Sequence, residues 1–169
     1  MGREKGRSVA VAVVKGAVAG AVGTWVMDRV TWFILNREDE ETKKREEQAR
    51  PGGEGSATIL ASRAAKAVGR PLKPEEKENA GMAMHFLLGI MPAALFGAVR
   101  HQMKGLGLSR GVLFGASVFL LMDELANWWS GAANAPWDYP WQAHARGLAG
   151  HITYGATTDA TLELLDRIT

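Results

Sequence analysis

The feature that most constrains this chain is a stretch of 18 consecutive residues without charge, at 82–99. It reads MAMHFLLGIMPAALFGAV and contains one His and one Pro among otherwise apolar or small residues. About 20 residues in helical conformation cross the hydrocarbon core of a bilayer. The stretch and its uncharged neighbours therefore predict a membrane-spanning helix, in which neighbouring groups satisfy the carbonyl that Pro92 frees.

Charge is concentrated in the middle of the chain. Residues 36–79 hold 20 of the 38 Asp, Glu, Lys and Arg side chains, and the two flanking arms are poor in charge. A soluble helical domain distributes charge along every exposed helix face. The pattern favours an N-terminal transmembrane helix at 1–35, a charged loop at 36–79 and a three-helix membrane region at 80–169. A soluble all-α protein is the alternative, because the last part of the chain is polar.

We predict an all-α fold: a small polytopic membrane helical bundle of about four transmembrane helices plus a short amphipathic helix. The apolar runs, Ser56 as an N-cap and the Gly and Pro breaks place helices near 8–34, 56–69, 76–102, 109–129 and 141–166. The amphipathic helix is 56–69, which suits the membrane surface or the end of the bundle. The last helix is the weakest spanning candidate, because only twelve uncharged residues separate Arg146 from Asp159.

Small residues recur at helical spacing in three of these helices. Apolar side chains gain little by leaving lipid for one another, so small residues that allow close backbone contact hold a membrane bundle together. We therefore expect the following glycines to lie at helix–helix contacts: Gly16, Gly20, Gly81, Gly89, Gly97, Gly147 and Gly155.

Ionisable residues interrupt the apolar helices at a few positions. An ionised side chain at the bilayer centre costs on the order of 3 kcal/mol or more, so such groups usually face the bundle interior and pair with one another. Counting along antiparallel helices predicts that these residues form one polar cluster near one end of the bundle. Its members are His85, Glu124, His144 and His151, with Asp123 assisting.

Three interpretations of this cluster stay open. Polar groups tie helices together by hydrogen bonds in lipid, which would make the cluster structural. His titrates near neutrality and carboxylates supply partners, which would make it proton-responsive or proton-conducting. A metal or haem site formed by His85 with His144 or His151 is the third, but close H-x-x-x-H or H-x-x-H spacing is absent. We therefore predict neither a metal nor a cofactor.

Several function classes find no support in the sequence. The chain has no Cys, which excludes disulfides and thiolate metal sites. G-x-S-x-G, H-E-x-x-H and a Walker lysine motif are absent, so we predict no enzyme and no catalytic residues. A formal net charge of +2 is too small and too mixed to indicate nucleic acid. The expected partner is the lipid bilayer; a homo-oligomer is allowed, and no small-molecule substrate is indicated.

The second half of the chain resembles the YagU-like family of bacterial inner-membrane proteins. The resemblance rests on His85 in an apolar helix, on GVLFG at 111–115, on the pair Asp123-Glu124, and above all on YPWQAHARGLAGHITYG at 139–155. It covers roughly residues 80–166 and, more loosely, 16–32. The function of the family is not established. The resemblance implies a multi-spanning inner-membrane protein with a link to acid tolerance, and it supplies no catalytic residues.

Basic residues indicate the orientation. The N-terminal tail and the 100–110 turn each carry three Lys or Arg and the 130–141 loop carries none, which places the N-terminus in the cytoplasm by the positive-inside rule. The ten Lys and Arg of 36–79 count against this orientation. For function we predict a structural or accessory membrane protein. The alternative is a small proton-linked channel, transporter or pH-responsive protein that uses the His–carboxylate cluster.

Overall fold

The computed structural model describes residues 2–107 and 109–168, without the side chains of residues 2–8 and Lys104. Met1 and Thr169, the outer ends of two predicted regions, and Leu108 lie outside the described residues, as do the basic side chains of the N-terminal tail. Within the described part every regular element is helical, which confirms the all-α prediction. The described residues form six main helices: α1 (Gly2–Leu35), α2 (Glu40–Ala49), α3 (Ser56–Ala67), α4 (Pro74–Val99), α5 (Ser109–Trp129) and α6 (Trp141–Ile168).

Three segments of the described chain are long and apolar enough to cross a membrane. They are Val9–Leu35, Pro74–Met103 and Ser109–Trp129. Helix α6 has the necessary length but is not among them. Three candidate spans are therefore established by length and composition, and the predicted fourth crossing is not confirmed.

Helix α2 lies where the sequence predicted only a charged loop. Asp39 caps it: one carboxylate oxygen accepts the Thr42 backbone N–H and the other accepts the Thr42 hydroxyl, both at 2.8 Å. These hydrogen bonds hold the pKa of Asp39 below its ordinary value. The acidic first turn, Glu40 and Glu41, also suits the positive end of the helix dipole. At the next helix Ser56 is the first helical residue and Gly55 is the N-cap, so the predicted cap was one residue late.

Helices α1 and α4 pack antiparallel in a register of four-residue steps. A Cβ atom built on Gly20 would lie 2.5 Å from the Cβ of Ala93, so only glycine fits there. The contacts in order are Gly97 with Gly16, Ala93 with Gly16 and Gly20, and Gly89 with Gly20 and Thr24. Gly81 is different, because it lies against Thr58 of α3. Close backbone contact along this seam accumulates dispersion energy.

Helices α5 and α6 follow the same four-residue rule over part of their length. Gly111 lies against Gly155, Gly115 against the backbone of His151, and Gly147 against the ring of Phe119. Beyond that point α5 is π-helical, over Phe119–Ala126. Hydrogen bonds from residue i to i+5 widen the turn and shift the face that each later residue presents, and such segments are frequent at functional sites.

The segment between α1 and α4 folds over one end of the bundle, and we call residues 36–73 the cap. Arg63 of α3 donates to the carbonyl oxygens of Ser130 and Gly131, at 2.5 and 2.8 Å, where α5 ends. The Asn134 side chain donates to the carbonyl of Ala49 at 3.0 Å. The charged middle of the sequence is therefore a folded structure attached to the bundle.

The outside of the bundle is apolar. Large side chains such as Leu95 and Leu121 are 68% and 60% exposed. An apolar surface of this extent marks an interface or a lipid-facing wall, and it disfavours a soluble protein. Exposed tryptophans lie toward the capped end, as interfacial anchors do in membrane proteins. These are Trp25, Trp32, Trp128, Trp129, Trp137 and Trp141.

Candidate functional site

A polar cleft of about 380 Å³ lies between the cap and the bundle. Its wall contains all five residues of the predicted polar cluster: His85, Asp123, Glu124, His144 and His151. The other titratable or charged residues of the wall are Asp28, Glu46, Arg50, Glu54, Tyr139 and Arg146. The cap and four helices, α1, α4, α5 and α6, each contribute to this wall, so the cleft exists only in the assembled fold.

The register of α1 and α4 explains why His85 faces the cleft. Continuing the four-residue steps beyond Gly89 and Thr24 brings His85 opposite Asp28. The His85 Nε2 lies 2.8 Å from the Asp28 Oδ1. A carboxylate accepts, so Nε2 carries the hydrogen and donates. Sequence reasoning missed Asp28. The signal was present, because Asp28 continues the four-residue stripe of Gly16, Gly20 and Thr24 along α1.

His144 lies between two acceptors. Its Nδ1 is 2.6 Å from the Glu124 Oε1, and its Nε2 is 2.9 Å from the Pro136 carbonyl oxygen. A carbonyl oxygen cannot donate, so Nε2 must carry a hydrogen. The Nδ1–Oε1 contact also needs one hydrogen, which belongs either to an imidazolium or to a neutral carboxyl group. For both contacts to be hydrogen bonds at once, the pair must hold one proton more than a neutral imidazole and an ionised carboxylate.

His151 has a defined tautomer. Its Nδ1 donates to the Gly147 carbonyl oxygen at 2.9 Å. The imidazole ring packs against Phe119 at 5.5 Å between centroids and lies 6.5 Å from the Tyr154 ring. Among the described residues its Nε2 has no hydrogen-bond partner. His151 thus presents a proton-accepting nitrogen at the wall of the cleft.

Asp123 differs from its neighbour Glu124 in having no ion-pair partner in the described part of the chain. Its Oδ1 accepts only from the Asn127 side chain, at 3.3 Å. The side chain is exposed to the two cavities that it lines. Its electrostatic neighbours are His151, Glu124 and His85, in decreasing order of effect. The structure thus brings the five predicted residues to one cleft but gives each histidine its own hydrogen-bond partner.

A buried ionic cluster beside the cleft attaches the cap to α6. Arg146 pairs with Glu38 at 2.6 Å and with Glu46, and Glu46 also pairs with Arg50 at 2.7 Å. Burial disfavours the ionised form of Glu46, but the hydrogen bonds from Arg146 and Arg50 outweigh it and hold the pKa of Glu46 below its ordinary value. Arg146 stood out in the sequence as an ionisable residue in a helix, but its partners could not be read from it.

A second buried ionic cluster lies at the opposite end of the bundle. Asp159 of α6 accepts from Arg100 at 2.9 Å and from Arg110 at 2.9 Å. All three side chains are at most 10% exposed. Two of the three basic residues that the orientation argument placed in the 100–110 turn are therefore directed into the bundle.

In chemical terms the cleft can hold protons and cations. Among the described residues no group of three or more His, Asp or Glu side chains is arranged to hold a metal ion. The wall combines three imidazoles with several carboxylates, side chains that can both donate and accept protons. The unpaired carboxylate of Asp123 attracts positive charge.

Comparison with known proteins supplies no relative for this chain. No protein-family model, no curated protein and no solved structure matches it. The resemblance to the YagU-like family therefore stays a prediction from the quoted residues, and the geometry of the cleft carries the functional argument.

Proposed function

We propose that this chain is an integral protein of the bacterial inner membrane, of the YagU-like type, that responds to pH by binding and releasing protons in the capped cleft. The observation that carries the proposal is the position of His144 between two acceptors, Glu124 and the Pro136 carbonyl. This pair stores a proton that an isolated imidazole and carboxylate would not share. No catalytic step is required, and the proposal assigns none.

The other two cleft histidines have sites that can take up a proton on acidification. In His85 the Nδ1, and in His151 the Nε2, have no partner among the described residues. Each ring lies on the same wall as the carboxylate of Asp123. A proton taken up at either ring adds positive charge to the bundle side of the cleft.

The cap is the element that the added charge acts upon. It faces the histidines across the cleft with Glu46, Arg50 and Glu54, and the buried Arg146 cluster fixes it to α6. A change of charge on one wall alters the attraction between the walls. The cap is not one of the candidate spans, so we place it in the aqueous phase, with α6 held in the membrane bundle by α1 and α5 and with the N-terminus in the cytoplasm.

A structural or accessory role is the second candidate, and one observation favours it. Each of the three histidines already has a separate hydrogen-bond partner, as expected of groups that merely tie helices together. The two candidates differ in what happens to the ring nitrogens when the pH changes.

The test is NMR of the full chain, labelled with ¹⁵N at histidine and with ¹³C at the glutamate carboxyl groups and embedded in lipid nanodiscs, between pH 8 and pH 5. His101 is the internal reference, because it is the only other histidine and its side chain is 59% exposed at the opposite end. We expect His144 or Glu124 to be protonated at pH 7, read from the Nδ1 and carboxyl shifts. In Glu124→Gln the amide donates to Nδ1, so His144 should become a neutral imidazole.

The pH response of the cap has its own measurement. Because the chain has no Cys, Ala133→Cys places one thiol on the cleft wall and Gly105→Cys places one far from it. The ratio of their labelling rates, which cancels the intrinsic thiol titration, should change at least threefold between pH 8 and pH 5. Cleft histidines that keep their shifts while His101 titrates, together with a constant ratio, would leave only the structural role.

A further inference from the structure

A second, apolar cavity of about 260 Å³ adjoins the polar cleft. Met27, Leu60, Leu88, Val118 and Met122 supply its apolar wall. His85, Asp123 and His151 line both cavities, so they form the boundary between them. A mostly apolar cavity with a few polar groups at one end is the usual form of a small-molecule site.

The arrangement of the helices explains this cavity. Close backbone contacts join α1 with α4 and α6, α5 with α6, and α3 with α4. Helices α4 and α5 meet through the stacked rings of Phe96 and Phe114, 4.2 Å apart, toward the end that the cap does not cover. Toward the cap they diverge around the cavity, and Leu60 of the cap closes one side. The cavity therefore lies between α4 and α5, with Met27 of α1 and Tyr154 of α6 completing its wall.

Charge decides what this cavity can accept. Asp28 and Glu124 are each satisfied by a histidine, whereas Asp123 has only the amide of Asn127 at 3.3 Å. An ionised carboxylate that faces a mostly apolar cavity without a cation attracts a cationic ligand and repels an anionic one.

We propose that the apolar cavity binds an organic ammonium ion, with the cationic group beside Asp123 and the apolar body among Met27, Leu88, Val118 and Met122. The inference deepens the proposed function, since Asp123 belongs to the same cluster. The proton and the ammonium ion compete for one carboxylate, so acidification weakens binding. The size of the cavity suits a single aromatic ring with a short amine chain.

The test uses 2-phenylethylammonium as the probe and 2-phenylethanol as its neutral counterpart, with the full chain in lipid nanodiscs at pH 8. Isothermal titration calorimetry should show tighter binding of the ammonium ion than of the alcohol, by about tenfold or more. Asp123→Asn should abolish that preference. Glu78→Gln, which removes an exposed carboxylate of α4 outside both cavities, is the matched control and should keep it.

A second variant separates the site from a general effect of charge. Leu88→Phe fills the apolar cavity without changing charge and should weaken both probes by about tenfold. Equal affinity for the two probes in the wild type, or an unchanged ammonium preference in Asp123→Asn, overturns the inference. Both measurements are made at one pH, so they do not depend on whether the cleft histidines titrate. A failed NMR titration with intact ammonium binding rejects the proposed function alone.

Discussion

Helix α6 carries buried charge at two places, and the two differ in the kind of cation they use. Toward its C-terminal end Asp159 is paired with two arginines, Arg100 and Arg110. Toward its N-terminal end His144 and His151 face the capped cleft on either side of the buried Arg146, so this end combines imidazoles with a guanidinium. His151 and Asp159 are eight residues apart, which is about 12 Å along a helix.

The two places therefore differ in whether the charges of their cations can change with pH. A guanidinium keeps its charge at every physiological pH, so the Asp159 cluster presents the same electrostatics in acid and in neutral solution. An imidazole changes charge near neutrality. The uncapped end of the bundle is therefore held by arginines, whereas the capped end combines the Arg146 ion pairs with the imidazoles to which we assign the proposed pH response.

The largest effect is expected from Asp159→Asn. The substitution keeps the shape of the side chain but removes the carboxylate that pairs with both buried arginines. Arg100 then keeps only the partly exposed Asp166 and Arg110 only Glu163, each at 3.2 Å, and breaking a buried pair costs up to about 3–5 kcal/mol. Unfolding of the full chain in mixed detergent micelles measures the loss. Glu163→Gln is the matched control: its contact with Arg110 is at the surface, with Glu163 42% exposed, so less than about 1 kcal/mol is expected. Comparable losses of stability in both variants would contradict the conclusion that Asp159 holds this end of the bundle together.

A smaller effect is expected from Gly115→Ala. The new methyl group would meet the backbone carbonyl of His151, so α5 and α6 must separate, at a cost of about 1–3 kcal/mol. Since this contact lies between the two ends, the His151 ring resonances should shift as well. Gly105→Ala, where the added atom meets nothing within 4 Å, should be neutral in stability and in the spectrum. Unchanged stability and an unchanged spectrum in Gly115→Ala would show that α5 and α6 can separate at this contact without disturbing either end of the bundle.

The smallest effect depends on pH and concerns Glu46. Because its folded pKa is depressed below the ordinary value of 4.5, its pairing stabilises the fold above that value and is lost as the pH falls through the folded pKa. Glu46→Gln should cost about 1.5 kcal/mol at pH 7, the size of a hydrogen bond to a charged group, and less at pH 3. Unfolding in detergent at both pH values measures this. An equal cost at pH 7 and pH 3 would mean that the carboxylate is not what attaches the cap.

Much of the fold follows from the sequence because two periodic patterns agree. The apolar runs place the long helices, and the four-residue glycine stripes place their contact faces, so the presence of His85 and His151 on the wall of one cleft could be expected. Helix α2 was missed because it has no apolar face; its signal is local, in Asp39 as a cap and in the acidic first turn. The partners of Arg100 and Arg110 depend on how 3₁₀ turns direct long side chains, which periodicity does not describe.

The π-helical stretch at Phe119–Ala126 has a consequence for how α5 tolerates change in length. The four-residue rule that pairs Phe119 with Gly147 is broken one turn later, where Glu124 instead of Asp123 reaches His144. Asp123 and Glu124 therefore have different surroundings mainly because of the number of residues in the π-helical turn, and less because one is an aspartate and the other a glutamate. Most substitutions in this stretch leave that count intact. Deleting a single residue from this stretch rotates the rest of the helix and exchanges the surroundings of Asp123 and Glu124. A deletion here therefore changes the wall of the cleft in a way that no single substitution does.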